Sequence, residues 1–142
     1  MRIILSIALL ACASLASAAS LTVIVTDPAN QEGTIRIALF NSPEGFPEAE
    51  YLLKGIVVNA SSADSDAKVT VEFKGLAPGT YAISTYHDLN DNEVLDKNFL
   101  GIPEELYGFG NNAEGDLGPA KFEDASFMVT EEGKNIQEIH LH

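Results

Sequence analysis

The 142-residue chain has one cysteine, no tryptophan and two methionines, and it sets eight basic residues against 21 acidic ones. Each shortage excludes something. The lone cysteine is Cys12, so residues 19–142 contain no thiol. A disulfide framework, a thiolate metal site and a cysteine nucleophile are all ruled out there. The formal net charge of -13 argues against nucleic acid and against anionic membranes, because both repel an acidic surface. The same charge suits a protein that attracts cations, and it suits equally a plain solvated surface. Long apolar runs are also scarce. The longest, Ile3 to Ala11, falls short of the roughly 20 apolar residues that cross a bilayer, so no membrane insertion is expected.

That run has a purpose of its own. Met1-Arg2, the apolar stretch and the small residues Ala16-Ser17-Ala18 together describe a secretory signal peptide cleaved after Ala18. The expected location is periplasmic or secreted. A second reading stays open: Leu9-Leu10-Ala11-Cys12 is similar to a lipoprotein cleavage box, which would anchor the chain at a lipidated Cys12. Residues 19–142 suffice for one domain with its own core, expected as a monomer. Without disulfides, that domain is held by its core, or by its core plus a bound ion.

Period-two alternation is the main fold signal. Leu21, Val23 and Val25 share one face of a first strand, and Ile35, Ile37 and Leu39 share one face of a second. Val69, Val71 and Phe73 repeat the pattern, as do Tyr81 to His87, Ala125 to Thr130 and Ile136 to Leu141. Ile56-Val57-Val58 reads as a short strand after a stretch, Pro47 to Glu50, that suits a helical turn. These observations predict an all-β fold, a sandwich of about seven strands, with one long loop region from Asp88 to Pro119. A connection that long without regular structure is usually functional or ordered by an ion.

The loop opens with Asp88-Leu89-Asn90-Asp91-Asn92-Glu93-Val94-Leu95-Asp96. Asp88, Asn90 and Asn92 take the first, third and fifth places of a calcium-loop pattern. Val94 offers its carbonyl at the seventh place, and Asp96 falls at the ninth. Calcium takes six to eight oxygens, and this spacing curls a chain around one ion. Two residues depart from the pattern. Glu93 stands where glycine makes the sharp turn, and Phe99 stands where a bidentate glutamate belongs. Glu104, Glu105 or water would have to complete the set. An Asx-rich turn, whose side chains bond nearby amides, explains the same residues without a metal.

Other candidates are sparser. His140 and His142 share a face of the last strand and could grip a transition metal, or simply be exposed at a chain end. His87 could act as a general base, with Asp88 or Glu105 beside it, but no nucleophile setting accompanies it, so an enzyme is not expected. Tyr107, Phe109, Asn111 and Asn112, with Glu105 and His87 nearby, could hold a glycan or small molecule. Alternatively Phe99, Ile102, Tyr107 and Phe109 tuck under the loop as a hydrophobic cluster.

Three segments carry a family resemblance. They are Gly75-Leu76-Ala77-Pro78-Gly79-Thr80-Tyr81-Ala82, then His87-Asp88-x-Asn90-x-Asn92-x-x-x-Asp96, then Phe99-Leu100-Gly101-Ile102-Pro103-x-Glu105-x-Tyr107-Gly108-Phe109. Together with Phe122-Glu123-Asp124-Ala125, they resemble a bacterial secreted family catalogued as domain of unknown function 2141. The Leu76-x-Pro78-Gly79-x-Tyr81 piece is similar to a turn of prealbumin-like sandwiches, including carboxypeptidase regulatory domains and surface-protein stalk modules. The resemblance implies compartment and fold, and it favours a binding or structural role over catalysis. The expectation is therefore a non-catalytic exported module with a calcium-stabilised loop and an unidentified protein or glycan partner.

Overall fold

The computed structural model describes residues 18–142. The signal peptide expected over residues 1–18, with Cys12 in it, lies outside the described residues except for Ala18. Eight strands follow in order: β1 Ala19–Thr26, β2 Thr34–Phe40, β3 Lys54–Asn59, β4 Lys68–Leu76, β5 Gly79–Asp88, β6 Tyr107–Phe109, β7 Ser126–Val129 and β8 Asn135–His140. The protein is all-β, and its strands form two sheets. One has the order β4-β1-β8, with β1 antiparallel to β4 and parallel to β8. The other runs β3-β2-β5, and the far side of β5 is shared by β6 and β7.

The alternating residues explain why the sheets face one another. Leu21, Val23 and Val25 of β1 and Ile35 and Leu39 of β2 are fully buried, and Ile83 joins them from β5. A one-residue slip would turn each set to solvent, so burial specifies the register. A satellite cluster surrounds Phe46, whose ring lies 5.0 Å from Phe40, 6.0 Å from Phe109 and 5.7 Å from Phe122. Ala82 and Ala125 complete it.

Three local features differ from the sequence reading. β6 falls within the region expected to be a loop, so eight strands replace about seven. The segment Phe122–Ala125 is a short helix, α1, and the strand after it starts at Ser126. The helical turn expected near Pro47 is a single 3-10 turn, Ala49–Tyr51. No described helix is long and apolar enough to cross a membrane.

Candidate functional site

β5 carries the chain to the site. Its last residue, Asp88, is fully buried although its side chain is a carboxylate. Three donors compensate that burial. Arg36 Nε donates to Oδ2 at 2.7 Å, the Glu93 amide donates to Oδ2 at 2.9 Å, and the Asn92 amide donates to Oδ1 at 3.1 Å. Arg36 comes from the neighbouring strand β2 and is the only arginine after residue 18. Burial works to lower its pKa, but the hydrogen bond to Asp88 and the nearby charges carry it above the ordinary value. Beside it, Tyr86 is pushed up to about 12, mainly by desolvation.

A second buried carboxylate holds the loop from within. Glu105 Oε1 accepts the Leu89 amide at 2.9 Å and Oε2 accepts the Asp96 amide at 3.0 Å. The two ends of the nine-residue stretch are thus stapled to one side chain. The Glu104 amide returns a bond to the Asp96 carbonyl at 2.8 Å.

Asn90, Asn92 and Asp96 meet at the exposed side of this frame. Nδ2 of Asn90 donates to Asp96 Oδ2 at 2.7 Å, and Nδ2 of Asn92 donates to Asp96 Oδ1 at 2.8 Å. The amide oxygens accept from the backbone two residues on, Asn90 from Asn92 at 3.2 Å and Asn92 from Val94 at 3.1 Å. These are Asx turns. Asp88 turns Oδ2 inward to Arg36, while its Oδ1 shares the Asn92 amide with Asn90 Oδ1, at 3.1 and 3.2 Å. At the sixth place Glu93 has a φ of 69°, and Asp91 a φ of 54°. The backbone thus makes the left-handed turn that a calcium loop has there, without the glycine. No group of three or more His, Cys, Asp or Glu side chains able to hold a metal occurs among the described residues. Any ion held here would rest on amide and carbonyl oxygens as much as on carboxylates.

The remaining candidates are placed elsewhere. His87 is fully buried, its Nδ1 accepting the Ala29 amide at 3.1 Å and its Nε2 lying 2.7 Å from the Glu32 carbonyl. Both ring nitrogens are engaged by main chain, which leaves no lone pair for a base. Phe109 is buried in the satellite cluster and Tyr107 packs against it at 5.8 Å. Asn111 donates its amide to the Ser126 carbonyl at 2.7 Å. His140 lies 2.7 Å from the Thr26 hydroxyl, and the His142 ring lies 5.1 Å from Tyr107. Phe99 and Ile102 do not tuck under the loop: they are 96% and 56% exposed at its tip. Surface hollows between Ser20, Thr22 and the Gly133 to Ile136 turn, and within Glu114 to Asp124, are lined by no residue of the Asp88–Glu105 loop.

A family model described as an uncharacterized protein conserved in bacteria (DUF2141) matches residues 23–137. The chain belongs to this family. No curated protein and no solved structure matches it. Within this DUF2141 protein, the sequence reading missed the partner of Asp88 and the stapling role of Glu105. Arg36, a single arginine in an otherwise apolar alternation, was the available signal for the first. Glu105 was expected to fold back on the loop as a ligand, and it does return there, but both its oxygens accept backbone amides 16 and 9 residues away.

Proposed function

We propose that this DUF2141 protein is a non-catalytic, exported β-sandwich module whose Asp88–Asp96 loop takes up calcium. In this reading Asn90, Asn92 and Asp96 present side-chain oxygens to the ion, with the Val94 carbonyl and water. Asp88 gives Oδ2 to Arg36 and keeps Oδ1 beside Asn90 as a further oxygen for the ion. The observation that carries the reading is the meeting of two carboxamides on the one carboxylate of Asp96, at 2.7 and 2.8 Å.

The donor set fits a hard cation, since every candidate ligand atom is oxygen. Each amide oxygen keeps a second lone pair after accepting its backbone bond. Arrival of a cation would free the Asp96 oxygens from the amide donors that now occupy them. The left-handed Glu93 and the Glu105 staple support the same reading, because both curl the backbone about the Asn90, Asn92 and Asp96 side chains. With few carboxylates, affinity belongs in the weak range of extracellular modules, about 10⁻⁴–10⁻³ M.

Binding to the folded form alone stabilises it by mass action, roughly 2.7 kcal/mol at a hundredfold excess over the dissociation constant. Thermal melts with excess calcium and with chelator therefore test the proposal. The midpoint is expected to rise by several degrees with calcium, and Asp96→Ala is expected to abolish the rise. Equal midpoints for the unaltered protein would remove calcium from the account. A base at His87 and a ligand face at Tyr107–Asn112 have weaker support, because those side chains are occupied in packing and backbone bonds.

A further inference from the structure

We propose that Met128 is a stereoselective oxidation site, taking one oxygen atom from hydrogen peroxide on the sulfur lone pair that Thr80 leaves free, without loss of the fold. Sulfur is scarce in this chain. Met1, Cys12 and Met128 are its whole inventory, and only Met128 falls within the described residues. A buried methionine is shielded from oxidants, and its sulfoxide disrupts the core around it. Met128 is neither shielded nor part of the core. It is 64% exposed on β7, while the next residue, Val129, is fully buried. Successive side chains of a strand point to opposite faces, so the burial of Val129 turns Met128 outward.

A second observation separates Met128 from a methionine that is merely exposed. Thr80 of β5 stands directly opposite it across the antiparallel ladder, and Thr80 Oγ1 donates to Met128 Sδ at 3.1 Å. Backbone pairing fixes that approach, because opposed residues hold their Cβ atoms about 4.5–5.5 Å apart. A thioether sulfur has two lone pairs, one on each side of its C–S–C plane, and accepts hydrogen bonds weakly. Thr80 occupies one of them. The other is left to solvent and to whatever oxidant solvent carries.

In a chiral residue the two lone pairs are not equivalent: oxygen on one gives one sulfoxide epimer, and oxygen on the other gives its opposite. The free lone pair attacks one oxygen of the peroxide. The S–O bond forms as the O–O bond breaks, and the departing hydroxide takes the proton of the transferred oxygen and leaves as water. Sulfur loses two electrons and the peroxide gains them. The new oxygen projects on the side away from Thr80, so neither the β5–β7 ladder nor the core is disturbed. The mark is reversible, because the sulfoxide is the substrate of a methionine sulfoxide reductase of the matching epimer class. Calcium has no part in it, since β7 pairs with the Gly79 end of β5 and the loop leaves from the Asp88 end.

Hydrogen peroxide treatment of the folded protein, followed by digestion and mass analysis of the Met128 peptide, tests the proposal. Treating that peptide with each epimer-specific reductase measures the epimer ratio. One epimer is expected in about threefold or greater excess, the bias that a weak hydrogen bond gives. Thr80→Val keeps a β-branched residue on β5 but removes the hydroxyl, and it should bring the ratio close to equality. A near-equal mixture from the unaltered folded protein overturns the proposal. So does an excess that persists in Thr80→Val, or a Met128 left unmodified where free methionine is fully oxidised. The oxidised protein should keep its melting midpoint, and unfolding on oxidation contradicts the proposal equally. Should Thr80→Val fail to fold, the unaltered protein oxidised in urea decides: an epimer excess as large there as in the folded state overturns the proposal.

Discussion

Asp88 illustrates how a charge can be buried in a small β protein. Its carboxylate has left water, and the Arg36 guanidinium with two backbone amides replaces the lost hydration. Removing one partner strands the others. Asp88→Ala is expected to destabilise the fold by about 3 kcal/mol, measured by urea unfolding, because Arg36 loses its counter-charge and the Glu93 amide loses its acceptor. Tyr86 offers a contrasting test. Burial raises its pKa from 10.0 to about 12, so the folded chain holds that proton more tightly than the unfolded chain does. The resulting contribution to stability is complete below pH 10 and is lost as pH climbs towards 12. Tyr86→Phe should leave stability at neutral pH almost unchanged and remove that alkaline loss, as chemical denaturation across the range would record. Thr85 is a smaller case: its hydroxyl is buried without a partner among the described residues. Thr85→Val is expected to stabilise by about 1 kcal/mol.

Among the elements, the Asp88–Glu105 loop departs furthest from what period-two reasoning can reach. Strands β1, β2, β4 and β5 were legible because alternation persisted for six or more residues with β-branched side chains inward. β6 was not, since three residues carry no readable period and its middle one is glycine. The oxygen spacing of Asp88, Asn90, Asn92 and Asp96 was visible, yet their division of labour was not. Pairing between Arg36 and Asp88 spans 52 residues, and only the fold makes them neighbours. Glu93 carries the conformational cost of the loop. A left-handed non-glycine residue costs about 1–2 kcal/mol, and its 3.5 Å contact with Arg36 is exposed and worth less than about 1 kcal/mol. Glu93→Gly is accordingly expected to raise stability by about 0.5–1 kcal/mol, after the extra unfolded-state entropy of glycine, in thermal melts.

At the scale of the molecule, two sheets enclose an apolar core and surround it with acid. The fold class was legible because composition and alternation agree, as they do when local and global preferences coincide. The function was less legible, because a calcium loop and an Asx turn use the same side chains and the same spacing. The central claim is that oxygens from one short stretch can gather about an ion. A crystal structure of the protein soaked in calcium at well above millimolar concentration tests it most directly. The account predicts one ion with Asn90, Asn92 and Asp96 oxygens about 2.3–2.6 Å away. An unchanged loop, with both carboxamides still donating to Asp96 and no ion between them, would contradict it.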